Sequence, residues 1–141
     1  MGRRYVEVVR RRAAERRRVV EEARRWASSL SFKATAILVG SYARGDFNKW
    51  SDVDVLLITG ELGGGPLERL RKVEAPPGYE VIVWTPEEFA LLLKKGNPLA
   101  LEAARSGVFL RDDYGLSSSP ELRARSESPG SGSARRVRSE A

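Results

Sequence analysis

The chain contains no cysteine and no histidine among its 141 residues. It can therefore form no disulfide and no thiolate or imidazole metal site, and it lacks the base of a Ser-His or Cys-His nucleophile. Any bound metal must be held by oxygen atoms, which favours hard cations such as magnesium. Long apolar runs are also missing, whereas a membrane-spanning helix needs about 20 apolar residues. We therefore expect a cytoplasmic protein that has no membrane segment.

Positive charge is concentrated at the beginning of the chain. Residues 1–25 hold ten arginines and four glutamates, an excess that equals the whole formal net charge of +6. Such a stripe is typical of a solvated helix face, of a surface that pairs with an acidic partner, or of a nucleic-acid footprint. We rank nucleic acid last, because the arginines are not interleaved with aromatic residues and only Tyr5 and Trp26 flank them.

The order of predicted elements indicates an α/β (α+β) fold. Residues 4–28 lack glycine and proline and carry apolar residues at helical spacing, which predicts a long N-terminal amphipathic helix whose apolar face is interrupted by Arg16 and Arg17. Apolar runs and strict alternation predict four short strands that are separated by helices. We therefore expect a small mixed β-sheet of about four strands flanked by helices. The predicted strands span residues 34–39, 53–59, 79–84 and 108–110.

The composition changes at residue 117. Eight of the last 25 residues are serine, and large apolar side chains are almost absent there. A segment of this kind buries too little apolar surface to offset the entropy of ordering it. We therefore predict a folded domain over residues 1–116 and a disordered tail over residues 117–141.

Three acidic residues begin two of the predicted strands. Asp52 and Asp54 are two positions apart, so on a strand their side chains point to the same face. Carboxylates this close repel one another unless a cation neutralises them. Glu80 begins a later strand and would complete a magnesium site if the two strands are neighbours. Singly, each of these acids is more typical of a strand cap or a solvent-facing position.

A Gly-Ser pair follows the first predicted strand directly. Gly40 permits a sharp bend at which backbone N–H groups can bind phosphate, and Ser41 adds a hydroxyl donor. Arg44 supplies positive charge, and Ser51 lies on the loop that leads to the acids. Alone, the pair would be an ordinary turn and Arg44 a surface charge. Together with the acids, they predict a cleft that binds a phosphorylated ligand.

Gly40-Ser41, a variable loop and the run Ser51-Asp52-Val53-Asp54 resemble the signature of the DNA polymerase β-type nucleotidyltransferases. Within that superfamily the chain is most similar to the minimal nucleotidyltransferases, or MNT-domain proteins, over about residues 10–113. The resemblance implies the nucleotidyltransferase fold and assigns roles to residues of this sequence. The implied catalytic residues and magnesium ligands are Asp52, Asp54 and Glu80, with Glu80 as the base, and the implied nucleotide contacts are Gly40, Ser41, Arg44 and Ser51.

The resemblance also implies a reaction and a partner. A nucleoside monophosphate, expected to be AMP from ATP, would pass to a hydroxyl acceptor with magnesium (Mg2+) as cofactor, and pyrophosphate would leave. Relatives of this size are often paired with a HEPN-domain protein, and some act as antitoxins toward a HEPN toxin. The alternative is a non-catalytic subunit that masks a HEPN partner by contact. The acceptor, the nucleotide base and a homo-oligomeric state stay open.

Overall fold

The sheet has four strands and is mixed, as the sequence predicts. A computed structural model describes residues 2–126 of the chain. The strand order is β3-β2-β1-β4, with β1 antiparallel to both of its neighbours and β3 parallel to β2. The fold is therefore α/β with helices on both faces of the sheet. The strands are β1 (Thr35–Val39), β2 (Val53–Ile58), β3 (Tyr79–Trp84) and β4 (Val108–Asp112).

The helices begin where the sequence carries helix-start signals. The side chain of Thr85 accepts a hydrogen bond from the backbone of Glu88, whose carboxylate accepts one from Thr85 in return. Asn97 caps the next helix in a similar way, and a proline occupies the first position of both. Within residues 2–126, no helix is both long enough and apolar enough to cross a membrane. The helices are α1 (Gly2–Ser29), α2 (Gly40–Arg44), α3 (Pro66–Arg71), α4 (Pro86–Lys94), α5 (Pro98–Ser106) and α6 (Pro120–Ser126), and a 3-10 turn spans Leu116–Ser118.

Two apolar layers bury both faces of the sheet. Successive side chains of a strand point to opposite faces, so β1 and β2 contribute alternate residues to each layer. One face packs against α1 and the other against α4, α5 and α6. The α1 layer contains Val20, Ala23, Ala27, Leu38, Val55 and Leu57, and the opposite layer contains Ile37, Leu56, Ile58, Phe89, Leu93, Ala100, Ala103 and Leu122.

The arginine that interrupts the apolar pattern of α1 connects this helix to α2. Arg16 donates from Nε to the carbonyl of Tyr42 at 2.7 Å and from Nη2 to that of Ala43 at 3.1 Å. One turn earlier, Arg12 donates to two carbonyls of the loop that follows α2, at 2.8 Å each. These bonds satisfy carbonyl groups that a short helix leaves unpaired. They fix the α2 region, which precedes the acidic residues, against the long helix.

The structure describes residues 117–126 of the predicted tail as part of a 3-10 turn and a short helix. The carboxylate of Asp112 accepts hydrogen bonds from the backbone of Leu116 and from Ser117, which closes the 3-10 turn. Helix α6 follows, and Leu122 is only 4% exposed, packed into the layer of α4 and α5. Burial of Leu122 offsets part of the entropy cost of ordering this polar segment, and composition alone does not reveal that contribution. The rest of the predicted tail, residues 127–141, lies outside the described residues.

Candidate active site

The bend between β1 and α2 requires glycine for two reasons. Gly40 has a φ of 78°, in the left-handed region that side chains other than hydrogen disfavour. A Cβ atom on Gly40 would also overlap the carboxylate of Asp54, whose Cγ would be 3.1 Å away. Since Val39 pairs with Asp54 across β1 and β2, the bend is held directly beside this acid. The predicted Gly40 and Asp54 are therefore in contact.

The parallel pairing of β2 and β3 brings the next acid into place. Asp54 is the register partner of Glu80, and both line the same cavity on the sheet face that α5 covers. Asp54 is half-buried, whereas Glu80 is exposed near the strand start. Asp52 precedes β2 and is exposed. The structure thus brings together two of the three predicted acids on neighbouring strands, whereas Asp52 is exposed and does not line the cavity.

The pKa of Asp54 shows how much negative charge gathers here. Burial is the largest cause that raises this pKa. The negative charges of Glu80, Asp52 and a further acid, Glu102, raise it further, while the positive charge of Arg44 lowers it. Burial and the three neighbouring acids thus disfavour the ionised carboxylate of Asp54, and Arg44 favours it. A cation bound beside Asp54 would relieve this repulsion.

The donors at this place fit a hard cation by their chemistry. Carboxylate oxygens are what magnesium binds in proteins, and Asp54 and Glu80 offer them from adjacent strands. In the part of the chain that the structure describes, however, no three acidic side chains are gathered closely enough to form a metal site. The pair Asp54 and Glu80 therefore forms the part of the predicted ligand set that is in register, and Asp52 adds charge from outside the strand.

Asp54 and Glu80 line a cavity of about 230 Å3 between the sheet and α5. A larger groove of about 590 Å3 lies between α4 and α6, but apolar side chains dominate it and none of the predicted site residues line it. The chemistry therefore favours the smaller cavity over the larger one. Its polar wall consists of Gly40, Asp54, Glu80 and Glu102, and its apolar wall includes Leu56, Ile82 and Leu99.

Glu102 is the site residue that the sequence analysis missed. It lies on α5, and its Oε2 accepts hydrogen bonds from the backbone N–H of Gly40 at 2.7 Å and from Nη1 of Arg44 at 2.8 Å. Gly40 and Glu102 are 62 positions apart, so no local spacing connects them. The available signal was a single acid on a short helix whose neighbours, Ala100 and Ala103, are typical of a buried face.

A comparison with protein families agrees with this geometry. The family model described as "Nucleotidyltransferase domain" matches residues 16–100, more than half of the chain. The chain belongs to the nucleotidyltransferase domain family. No curated protein and no solved structure matches it. Membership supports nucleotidyl transfer as the general activity of the protein, and the matched segment contains Gly40, Asp54 and Glu80.

The remaining predicted residues of this nucleotidyltransferase domain occupy different positions. Ser41 follows Gly40 in the first turn of α2 and is half-buried. Arg44 is exposed and pairs with Asp46 at 3.2 Å as well as with Glu102. The hydrogen bond to Asp46 is the largest cause that raises the pKa of Arg44, and the interaction with Glu102 raises it further. The hydroxyl of Ser51 accepts from the backbone of Asn48 at 2.9 Å and so braces the loop. Ser51 does not line the cavity.

Proposed function

We propose that this protein is a magnesium-dependent nucleotidyltransferase that transfers a nucleoside monophosphate, AMP from ATP, to a hydroxyl acceptor. The observation that carries this proposal is the contact of Gly40 with Asp54, which is itself in register with Glu80 on one cavity. A phosphate-binding bend beside paired carboxylates is the arrangement that transfer from a triphosphate needs. Family membership supports nucleotidyl transfer in general.

Each residue would have a separate task in the reaction. Asp54 and Glu80 would hold magnesium from neighbouring strands, and Asp52 would add negative charge from the residue before β2. When bound, magnesium supplies positive charge to the triphosphate. The backbone N–H of Gly40, the hydroxyl of Ser41 and the guanidinium of Arg44 would donate hydrogen bonds to phosphate oxygens and so orient the α-phosphate.

Proton transfer would then fall to Glu80, which is exposed at the cavity and therefore reachable by an acceptor. Its carboxylate would take the proton of the acceptor hydroxyl while the oxygen bonds to the α-phosphorus. The bond from that phosphorus to the bridging oxygen breaks, and pyrophosphate leaves with the electron pair.

The test of this function is transfer of label from α-labelled ATP in the presence of magnesium, with candidate HEPN-domain protein and RNA as acceptors. We expect Asp54→Asn and Glu80→Gln to lower the rate by at least about 100-fold, since each removes a metal ligand or a base. Glu87→Gln is the matched control, because Glu87 is exposed and does not line the cavity. Equal transfer by Asp54→Asn and the unmodified protein would refute the proposal.

A second candidate function is that of a non-catalytic subunit that masks a HEPN partner by contact. The observation in its favour is the first part of α1, where Tyr5, Val6 and Val9 are 71%, 43% and 46% exposed. Apolar side chains that recur at this spacing form one helix face that the described residues leave uncovered. The double variant Asp52→Asn with Asp54→Asn separates the two functions. Continued neutralisation of the HEPN protein would favour contact, and binding without neutralisation would favour chemistry.

A further inference from the structure

The carboxylate of Glu102 accepts hydrogen bonds from two groups, the N–H of Gly40 and the guanidinium of Arg44, that the proposed function assigns to phosphate binding. Its Oε2 receives the N–H of Gly40 at 2.7 Å and the guanidinium of Arg44 at 2.8 Å. Both distances are those of charge-assisted hydrogen bonds. A single anionic oxygen that is shared by a backbone N–H and an arginine is also what a terminal or bridging phosphate oxygen would present. The carboxylate of Glu102 therefore occupies the position in which the proposed function places a phosphate oxygen.

This position is costly for the surrounding acids. Glu102 adds negative charge next to Asp54, which already faces Glu80. A residue selected only for packing on α5 would bury an apolar side chain here, as its neighbours Ala100 and Ala103 do. The ion pair with Arg44 compensates part of this cost, yet the arginine is 45% exposed and such pairs contribute little to stability. The contact therefore calls for an explanation beyond stability.

We propose that Glu102 is a positioning residue that occupies the phosphate site of the free protein and is displaced by the triphosphate of the nucleotide. This inference rests on the proposed function. Arg44 stays in place after the displacement, because Asp46 holds it from the other side at 3.2 Å. The free protein thus keeps its donors oriented, and the incoming anion must compete with a tethered carboxylate. Competition of this kind lowers the apparent affinity by the fraction of molecules in which the site is open.

The experiment measures binding rather than turnover. Titration calorimetry with magnesium tripolyphosphate, and then with magnesium ATP, compares the unmodified protein with Glu102→Gln and Glu102→Asp. Glutamine keeps the shape but loses the charge, and aspartate keeps the charge but is one methylene too short to reach both donors. We expect both variants to bind tripolyphosphate about tenfold more tightly. The control Glu87→Gln removes an exposed carboxylate that contacts neither donor, and it should change the affinity by less than about twofold.

The outcomes separate this inference from the proposed function. Tighter binding by Glu102→Gln together with unchanged binding by Glu102→Asp would show a field effect of the charge and would overturn displacement. Displacement would also be overturned if both variants bound tripolyphosphate as tightly as the unmodified protein or more weakly. In that case the proposed function would still stand, provided that the unmodified protein binds the nucleotide and transfers label. If neither probe binds to any variant or to the unmodified protein, both proposals fail.

A double-mutant cycle supplies the remaining check. In an Arg44→Gln background, Glu102 has lost one of its two donors, so the gain from Glu102→Gln should shrink to less than half. A gain of the same size in both backgrounds would contradict the proposal, because it would mean that the two residues act independently. Thermal unfolding of each variant without ligand verifies that the fold is intact.

Discussion

Gly40 illustrates how much one residue contributes at the smallest scale. Its backbone adopts a φ of 78°, and its missing side chain leaves room for the carboxylate of Asp54. Gly45 shares the left-handed backbone, with a φ of 95°, but nothing lies within 4 Å of the Cβ it would carry. The two glycines therefore separate backbone strain from contact with the site.

We predict that Gly40→Ala destabilises the protein by about 2–4 kcal/mol, through strain and displacement of Asp54 together. Gly45→Ala should cost only about 1 kcal/mol, since strain acts alone. Urea unfolding measures both values, and binding of magnesium ATP should be lost in Gly40→Ala only. Equal costs for the two substitutions would show that Asp54 moves away freely.

Asp54 is expected to trade stability for function. Burial and the neighbouring acids raise its pKa, so the ionised form is less favourable in the folded chain than in the unfolded chain. We predict that Asp54→Asn raises the free energy of unfolding at pH 7 while it abolishes transfer, with solvent screening limiting the gain to under about 1 kcal/mol.

The sign of the pH dependence follows from the raised pKa. Ionised Asp54 costs stability above its folded pKa, and this cost disappears as the pH falls below the ordinary aspartate value of about 3.9. The advantage of Asp54→Asn should therefore be present in urea unfolding at pH 7 and absent at pH 3.5. An asparagine variant that is less stable than the unmodified protein at pH 7 would contradict this reading.

Among the elements, α3 and α4 are joined by an ion pair. The guanidinium of Arg69, whose side chain is 9% exposed, binds both carboxylate oxygens of Glu88, at 2.7 and 3.1 Å. Arg69 also donates to the carbonyl of Gly64 at 2.9 Å. The bond from Arg69 and that from Thr85 lower the pKa of Glu88. The pair therefore stabilises the fold in a pH-dependent manner.

We predict that Glu88→Gln lowers the free energy of unfolding by about 1–2 kcal/mol at pH 7. The value is smaller than for a fully buried pair, because Glu88 is partly exposed. The depressed pKa means that the loss is present above the ordinary glutamate value and vanishes as the pH falls through the folded value. Glu87→Gln, on the exposed side of the same turn, is the control. A pH-independent loss would argue against the ion pair as its source.

Elements were predictable where their signals are local. The Thr85 cap, the alternation in β3 and the apolar run of β1 act within a few residues, so the helix and strand assignments are confirmed. The sequence pattern showed Arg16 only as an interruption of the apolar face of α1. Helical spacing does not predict that its side chain donates to a carbonyl of another helix. The contact of Glu102 with Gly40 depends on tertiary packing, and no sequence spacing encodes it.

The candidate site was predictable in part for a related reason. Asp54 and Gly40 belong to one motif, and the register of β2 and β3 then determines that Glu80 faces Asp54. The expected assembly of three acids also depends on Asp52, which precedes β2 and is exposed. The pairing of the strands does not determine where its side chain lies. Ser51 carries the motif spacing, but its hydroxyl is engaged by the loop.

For the whole molecule, a buried side chain connects the last described helix to the core. Leu122 of α6 packs into the layer formed by α4 and α5, beyond the predicted domain end. We predict that Leu122→Ala lowers the free energy of unfolding by about 2–3 kcal/mol, the cost of removing a buried leucine. Leu91→Ala, at a position that is 51% exposed, should cost under about 1 kcal/mol. Chemical denaturation compares them, and equal small losses would restore the shorter domain.

The location of Glu102 on α5 has a consequence for how such a protein can change over generations. The bend and the acids lie between residues 40 and 80, whereas the competing carboxylate belongs to a different helix. If Glu102 competes with the triphosphate as proposed, substitutions on α5 would tune the nucleotide concentration at which the protein responds, without altering the groups to which the proposal assigns the chemistry. Sensitivity and reactivity would then be under separate genetic control in this fold.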